Sequence, residues 1–195
     1  SVLVAIGVTT DGFREILGLA EGAKEDKESW KQFLRYLKNR GLTGVKLFIS
    51  DKSLGLVESL TDFYPDVKWQ RCIVHYYRNI FTLVPRGKVK EVAGMLKAIH
   101  AQENAKEALI KAKAVSEKLK RMKLKNAAEL IEESIVETLS YYEFPQEHWR
   151  KIRTNNPMER ILKEVRRRTK VIGAFPDGQS ALMLVGARLR HVTTT

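Results

Sequence analysis

Acid is what this sequence is short of. It has 23 Asp and Glu against 35 Lys and Arg, a net charge of +12, and a pI near 9.8. That imbalance argues against a cationic partner and points to a polyanion such as nucleic acid or an anionic membrane surface. Cysteine is nearly absent. Cys72 stands alone, which excludes an internal disulfide framework and fits a reduced, cytoplasmic setting. No apolar run approaches the ~20 residues of a membrane span, so no integral membrane role is expected. The opening Ser1-Val2-Leu3-Val4 has neither a Met nor a basic segment ahead of an apolar one. No secretory leader is expected, and the chain reads as a piece of a larger protein. There is no internal repeat and no low-complexity tract. Its 195 residues suffice for one sizeable domain, or for one domain with an insertion.

The first ~75 residues alternate strand and helix signals. Residues 2–8 are apolar, Asp11-Gly12 marks a hairpin turn, and 14–19 form the return strand. Ser29 is placed to cap a helix carrying Trp30, Phe33, Leu34 and Leu37, which Gly41 stops. A strand over 45–49 ends at Ser50-Asp51, a short helix follows over 54–63, and another strand is expected over 67–74. The middle differs. Stretches 88–100, 103–122 and 127–142 read as helices, with Gly87 and Pro145 as the main interruptions. Their Lys-rich faces read as solvated surface or as phosphate contacts. The reading is therefore an α/β fold with a mixed sheet, interrupted by an all-helical insertion. Its parts are a first core segment (1–75), the insertion (76–150), and C-terminal helices (151–195). These last include a break at Gly173-Ala174-Phe175-Pro176 and a helix capped by Asp177.

Near the C-terminus, Asn155-Asn156-Pro157-Met158-Glu159-Arg160 runs into Arg166-Arg167-Arg168-Thr169-Lys170. A single acid heads a strongly basic helix. At about 100° per residue, Met158, Ile161, Leu162, Val165 and Thr169 share one stripe and pack on a core. Glu159, Lys163, Arg166 and Lys170 share the next stripe, with Arg160 and Arg167 beside it. Two readings stand. Asn156 as N-cap, Pro157 at the first helical position and Glu159 as the capping-box acid make a helix start. Alternatively, a divalent metal binds the carboxylate while the cations hold a phosphodiester.

Three other places carry chemistry. Asp51 ends the strand expected at the sheet's centre. Sites in open α/β sheets gather at strand ends, so it is a Mg²⁺ ligand or the N-cap of the following helix. Cys72-Ile73-Val74-His75 has C-x-x-H spacing. As half a zinc site it lacks partners, because no second Cys exists and His100, His148 and His191 are scattered. Cys72 then reads as core. His75, flanked by Arg71, Arg78 and Asn79, would contact a phosphate or orient a carboxylate. Trp149 is either a packed aromatic or a stacking platform for an extruded nucleotide.

Taken together these residues resemble the Mutator-type bacterial insertion-sequence transposases. The resemblance is carried by Asp51-Lys52-Ser53-Leu54-Gly55-Leu56, by Trp69-Gln70-Arg71-Cys72-Ile73-Val74-His75 with Arg78-Asn79, and by the 154–160 and 166–176 stretches. The opening Gly7-Val8, Asp11-Gly12 and Arg14-Glu15-Ile16-Leu17-Gly18 fit as well. It covers nearly the whole chain, in order. It implies an RNase H-like core with a helical insertion before the last acid. It also implies a D-D-E triad, two Mg²⁺ or Mn²⁺ ions, and cleavage and joining of DNA at transposon ends. Asp51 matches the second acid and Glu159 the third. Cys72 and His75 match a C-x-x-H signature, and Asn156 supports the last acid. Arg71, Arg78, Trp149, Arg160, Lys163, Arg166, Arg167 and Lys170 are the implied DNA contacts. A homodimer or higher multimer on nucleoid DNA is the implied assembly. The first Asp would lie on a strand just before Ser1, so these residues alone are expected not to cut DNA. Lys52 stands where the family usually has Gly, which raises the alternative of a non-catalytic DNA-binding or regulatory piece of an inactive element.

Overall fold

The computed structural model describes residues 2–9, 11–22, 26–169, 180, 182–187 and 189. They divide into two compact units. One holds the described residues within 1–46, 53–67 and 156–195, and the other holds 47–52 and 68–155.

In the first unit, β1 (Val2–Val8) pairs antiparallel with β2 (Arg14–Glu21). The expected Asp-Gly turn closes them: Gly12 adopts φ 84°, and its N–H donates to the Thr9 carbonyl at 2.9 Å. Strand alternation gives the hairpin two apolar faces. Leu3, Ala5, Leu17 and Ala20 pack with Phe33 and Leu37 of α1 (Lys27–Asn39). Val4, Ile16 and Leu19 pack with Ile161, Val185 and Leu189. Register shifts between Ala5 and Ile6, where β2 carries one extra residue. The α1 stripe is as expected, with Phe33, Leu34 and Leu37 buried, but its cap is not Ser29. Asp26 is the N-cap, and its carboxylate accepts from the Ser29 N–H at 2.9 Å. An acid three residues earlier wins because it also complements the helix dipole. Helix α2 (Leu54–Phe63) lies so close to α1 that a Cβ on Gly55 would stand 2.8 Å from the Lys27 nitrogen. Lys27–Glu58 and Lys31–Asp62 ion pairs, both 2.8 Å, flank the crossing. Helix α8 (Asn156–Thr169) also belongs to this unit. Residues 182–187 are helical, while the expected break at 173–176, the Asp177 cap and Lys170 lie outside the described residues.

In the second unit, β3 (Leu47–Ser50) pairs parallel with β4 (Lys68–Arg71). Among the described residues the strands thus form two two-stranded sheets, not one mixed sheet. The four-residue β3 is paired to β4 alone, and it starts two residues later than expected because Gly44, at φ 68°, still turns the chain. The strand expected over 67–74 stops at Arg71. Helix α3 (Ile73–Phe81) starts there with Cys72 as its N-cap, so His75 lies in the first helical turn, not at a strand end. Helices α4 (Val89–Ile99), α5 (Ala105–Arg121) and α6 (Lys125–Ser134) follow, around a core that includes Tyr76, Ile80, Leu96, Leu119 and Ile131.

The helix expected over 127–142 ends at Ser134 and gives way to 3₁₀ turns at Ile135–Thr138 and Ser140–Glu143. Gln70 of β4 supplies the reason. Fully buried, its amide donates to the Thr138 carbonyl at 2.9 Å and accepts from the Tyr141 N–H at 3.0 Å. Those backbone groups are therefore satisfied without α-helical partners. A short α7 (Gln146–Ile152) completes the unit.

Candidate functional site

The chain leaves β3 at Ser50, and Asp51 comes next. It does not cap α2, whose N-cap is Ser53. Its carboxylate Oδ1 instead meets Nδ1 of His75 in the first turn of α3. The Cys72 N–H donates to the Ser50 carbonyl at 2.8 Å, which fixes the start of α3 against the end of β3. Because Cys72 is the N-cap and His75 lies one turn on, the C-x-x-H spacing brings both side chains to one helix end. The ligating atoms of Asp51, Cys72 and His75 lie within 4.8 Å of one another.

The three are not equivalent. Cys72 is wholly buried, and its Sγ accepts from the Asn155 N–H at 3.1 Å, so it ties the chain leading to α8 onto α3. The Ile73 N–H makes a second tie, donating to the Arg153 carbonyl at 3.1 Å. The His75 side chain is a quarter exposed and that of Asp51 about half. A hard cation such as Mg²⁺ takes oxygen donors and keeps several waters, so Asp51 suits it while the thiol and imidazole do not. A closed structural zinc site would need a fourth protein ligand, and the described residues offer three. The geometry fits Asp51 as the ligand, His75 as the group orienting it, and Cys72 as structure.

Lys52, next to Asp51, is held elsewhere. Its Nζ pairs with Glu137 Oε1 at 2.6 Å, while Glu137 Oε2 pairs with Arg71 Nη1 at 2.9 Å. Arg71, read from sequence as a DNA contact, is instead buried at 4% exposure, with its guanidinium 5.0 Å from the centre of the Tyr76 ring. It organises the site from behind and is not offered to a phosphate. Glu137 was missed by sequence reasoning. It lies in the helical stretch with no motif around it, and only the fold reveals that it compensates two cations.

Trp149 is packed. Its indole N–H donates to the Phe144 carbonyl at 2.7 Å, and its ring meets Tyr141 and Tyr142 edge-on at 5.7 and 4.7 Å. His100, another of the scattered histidines, is buried in the same unit. Its Nε2 stands 2.8 Å from Thr138 Oγ1 and its Nδ1 2.9 Å from the Tyr77 hydroxyl. Burial depresses its pKa to about 4. Arg78 is exposed on α3.

In the other unit, Asn156 opens α8 and Glu159 stands in its first turn, half-buried. Arg160, Lys163, Arg166 and Arg167 are exposed, and Arg167 grips Glu164 with two hydrogen bonds of 3.0 and 2.9 Å. Ile161, on the expected apolar stripe, packs against Val185 and Leu189. Among the described residues no helix is long and apolar enough to cross a membrane.

Residues 1–194 match the sequence model of the family described as "Transposase, Mutator family". The chain is 40% identical over 187 residues to a transposase for insertion sequence element IS1081 from Mycobacterium tuberculosis, covering 96% of this chain and 45% of that protein. It is 38% identical over 189 residues to the transposase of IS256 in transposon Tn4001 from Staphylococcus aureus, covering 95% and 48%. It is 38% identical over 195 residues to a transposase for IS406 from Burkholderia multivorans, covering 98% and 50%. The chain thus spans about half the length of these relatives.

Proposed function

The chain belongs to the Mutator family of transposases, and from that premise we propose that it carries the catalytic acids of a metal-dependent D-D-E transposase with an RNase H-like core. The observation that supports this most directly is the placement of Asp51. It is a half-exposed carboxylate at the end of a parallel strand, oriented by His75, with its neighbouring cation drawn off to Glu137. Asp51 and Glu159 would hold the divalent ions, Mg²⁺ or Mn²⁺. When bound, these ions activate the attacking oxygen and stabilise the leaving one.

This chain's own residues do the rest. The exposed cations of α8 neutralise phosphates around Glu159 and hold the strand in line. No covalent protein intermediate is needed. Water attacks phosphorus at the element end, the bond to the 3′ oxygen breaks, and a 3′-hydroxyl remains. That hydroxyl then attacks a target phosphodiester, joining the strands and releasing another 3′-hydroxyl. DNA at the element ends and at the target is the substrate, and a multimer on DNA is the working assembly.

The test uses the full-length protein, a duplex carrying an element end, and Mg²⁺. Asp51→Asn and Glu159→Gln should each lower strand cleavage about a thousandfold, the several kcal/mol of transition-state stabilisation a metal supplies, while DNA binding persists. Cleavage that survives either substitution would remove that residue from the site. A wild-type protein that binds DNA but cuts nothing at any metal concentration would favour the non-catalytic reading.

A further inference from the structure

Helix α5 ends in a turn that puts a lysine where backbone geometry asks for glycine. The Lys123 N–H donates to the Lys120 carbonyl at 3.0 Å, and the Leu124 N–H donates to the Leu119 carbonyl at 2.9 Å. This is the Schellman arrangement, completed by the buried apolar pair Leu119 and Leu124. Lys123 occupies its left-handed position at φ 61°, and among the described residues no other non-glycine residue has positive φ. Glycine adopts that conformation without steric cost, whereas a Cβ meets the neighbouring carbonyl.

Two residues on, Lys125 opens α6, whose first turn contains no acid. A cation there faces the positive end of the helix dipole. Both lysines sit against local preference, so the fold does not explain them. Arg121, Lys123 and Lys125 are all exposed. Lys88 joins them from the 3₁₀ turn Arg86–Lys88 ahead of α4, its Nζ donating to the Met122 carbonyl at 3.3 Å. Among the described residues no carboxylate pairs with Arg121, Lys123 or Lys125. Lys118 and Lys120 differ, being held by Glu91 at 3.3 Å and by Glu132 at 2.7 Å.

We propose that the turn between α5 and α6 is a DNA-backbone binding site, in which Lys88, Arg121, Lys123 and Lys125 contact phosphates. This rests on the reading of the chain as a transposase that acts on DNA. Three flexible ammonium groups and the Arg121 guanidinium suit phosphate oxygens, so the contact is independent of sequence. It lies on the helical unit, and none of its four residues is named above as a metal ligand or as a contact on α8.

The experiment measures binding of the full-length protein to a mixed-sequence DNA duplex across a salt series, together with thermal unfolding. Lys123→Gly should reduce the slope of log K against log salt by about one unit, because each phosphate contact contributes about 0.9. Adding Lys88→Gln and Lys125→Gln should bring the reduction to about 2–3 units. Relief of the left-handed strain should meanwhile raise the melting temperature of Lys123→Gly by about 2–4 °C. An unchanged slope in the triple variant, with wild-type binding intact, overturns this site and leaves the proposed function standing. Absence of salt-dependent DNA binding by the wild type overturns both. A lowered melting temperature for Lys123→Gly overturns the argument that Lys123 is kept against the backbone's preference.

Discussion

Acidification should weaken the helical unit through one residue, His100. The ring is 5% exposed and its pKa is lowered from 6.5 to about 4, chiefly by burial and secondarily by the nearby Arg153 charge, against the hydrogen bond that Nδ1 of the charged ring would donate to the Leu96 carbonyl. The Thr138 hydroxyl gives its proton to the Ile135 carbonyl at 2.6 Å, so the imidazole Nε2 must be the donor to Thr138. In the neutral ring Nδ1 is then left to accept from the Tyr77 hydroxyl at 2.9 Å. Because the folded pKa lies below the unfolded one, the unfolded chain takes up a proton first. Stability is complete above about pH 6.5 and is lost as pH falls toward 4. The full difference is about 2.5 units, or about 3 kcal/mol at 1.36 kcal/mol per unit. Between about pH 7 and pH 5 the linkage relation gives a loss of about 2 kcal/mol. Urea unfolding followed by far-UV circular dichroism at the two pH values, in the wild type and in His100→Gln, isolates the effect. Carboxylates such as Glu132 and Asp62 titrate in both proteins and cancel. Glutamine keeps an amide donor for Thr138 but does not titrate. The wild-type midpoint should fall by about 1 M urea more than that of the variant, taking a denaturant slope near 2 kcal/mol per M. Equal pH dependence in the two proteins would refute the assignment.

Three further outcomes are expected. Glu137→Gln strips the buried Arg71 of its counter-charge, so urea unfolding should show a loss of about 3 kcal/mol. It also releases Lys52 beside Asp51, so Mn²⁺ binding read by electron paramagnetic resonance should weaken about tenfold. Lys52→Gly in the same chain should restore the metal affinity but not the stability, and a double variant still weak for metal would show that Lys52 is not the cause. Gly55→Ala forces a methyl against the Lys27 backbone, which cannot swing aside like a side chain, so thermal unfolding should register about 1–3 kcal/mol of destabilisation. Replacing Lys163, Arg166 and Lys170 with Gln should lower the salt slope of DNA binding by about 2–3 units, and an unchanged slope would place the DNA path away from α8.

What was legible in the sequence follows from how local each signal is. The β1–β2 hairpin and the α1 stripe were readable because Asp11-Gly12 and the spacing of Trp30, Phe33, Leu34 and Leu37 are short-range rules. Boundaries set by long-range partners were not. The helix read through to 142 stops at Ser134 because Gln70, far away in sequence, claims the Thr138 carbonyl and the Tyr141 N–H. The strand read through to 74 stops at Arg71 because the Ile73 N–H is taken by the Arg153 carbonyl. A period-2 pattern in Cys72-Ile73-Val74-His75 looks the same whether it continues a strand or opens a helix.

The candidate site was legible in its residue types and not in the contacts they make. Asp51 stood out because an acid after a buried strand in a basic chain has few structural reasons, and the cap reading falls because Ser53 takes that position. Cys72 and His75 were readable as a pair, but spacing could not say that one faces the core and the other faces Asp51. Once α3 starts at Ile73 the division follows: the N-cap side chain of Cys72 turns back onto the Asn155 N–H, and the residue one turn later points at the strand end. Lys52 is the sharper case. In sequence it looks like a charge that would neutralise Asp51. In the fold its ammonium lies 2.6 Å from Glu137, which also holds Arg71. On the proposed reading, which acid Lys52 pairs with decides whether the Asp51 carboxylate is left open to a metal or is occupied by an ammonium group. Glu137 holds both Lys52 and Arg71 from a turn far away in sequence, and a role of that kind leaves no trace in local sequence.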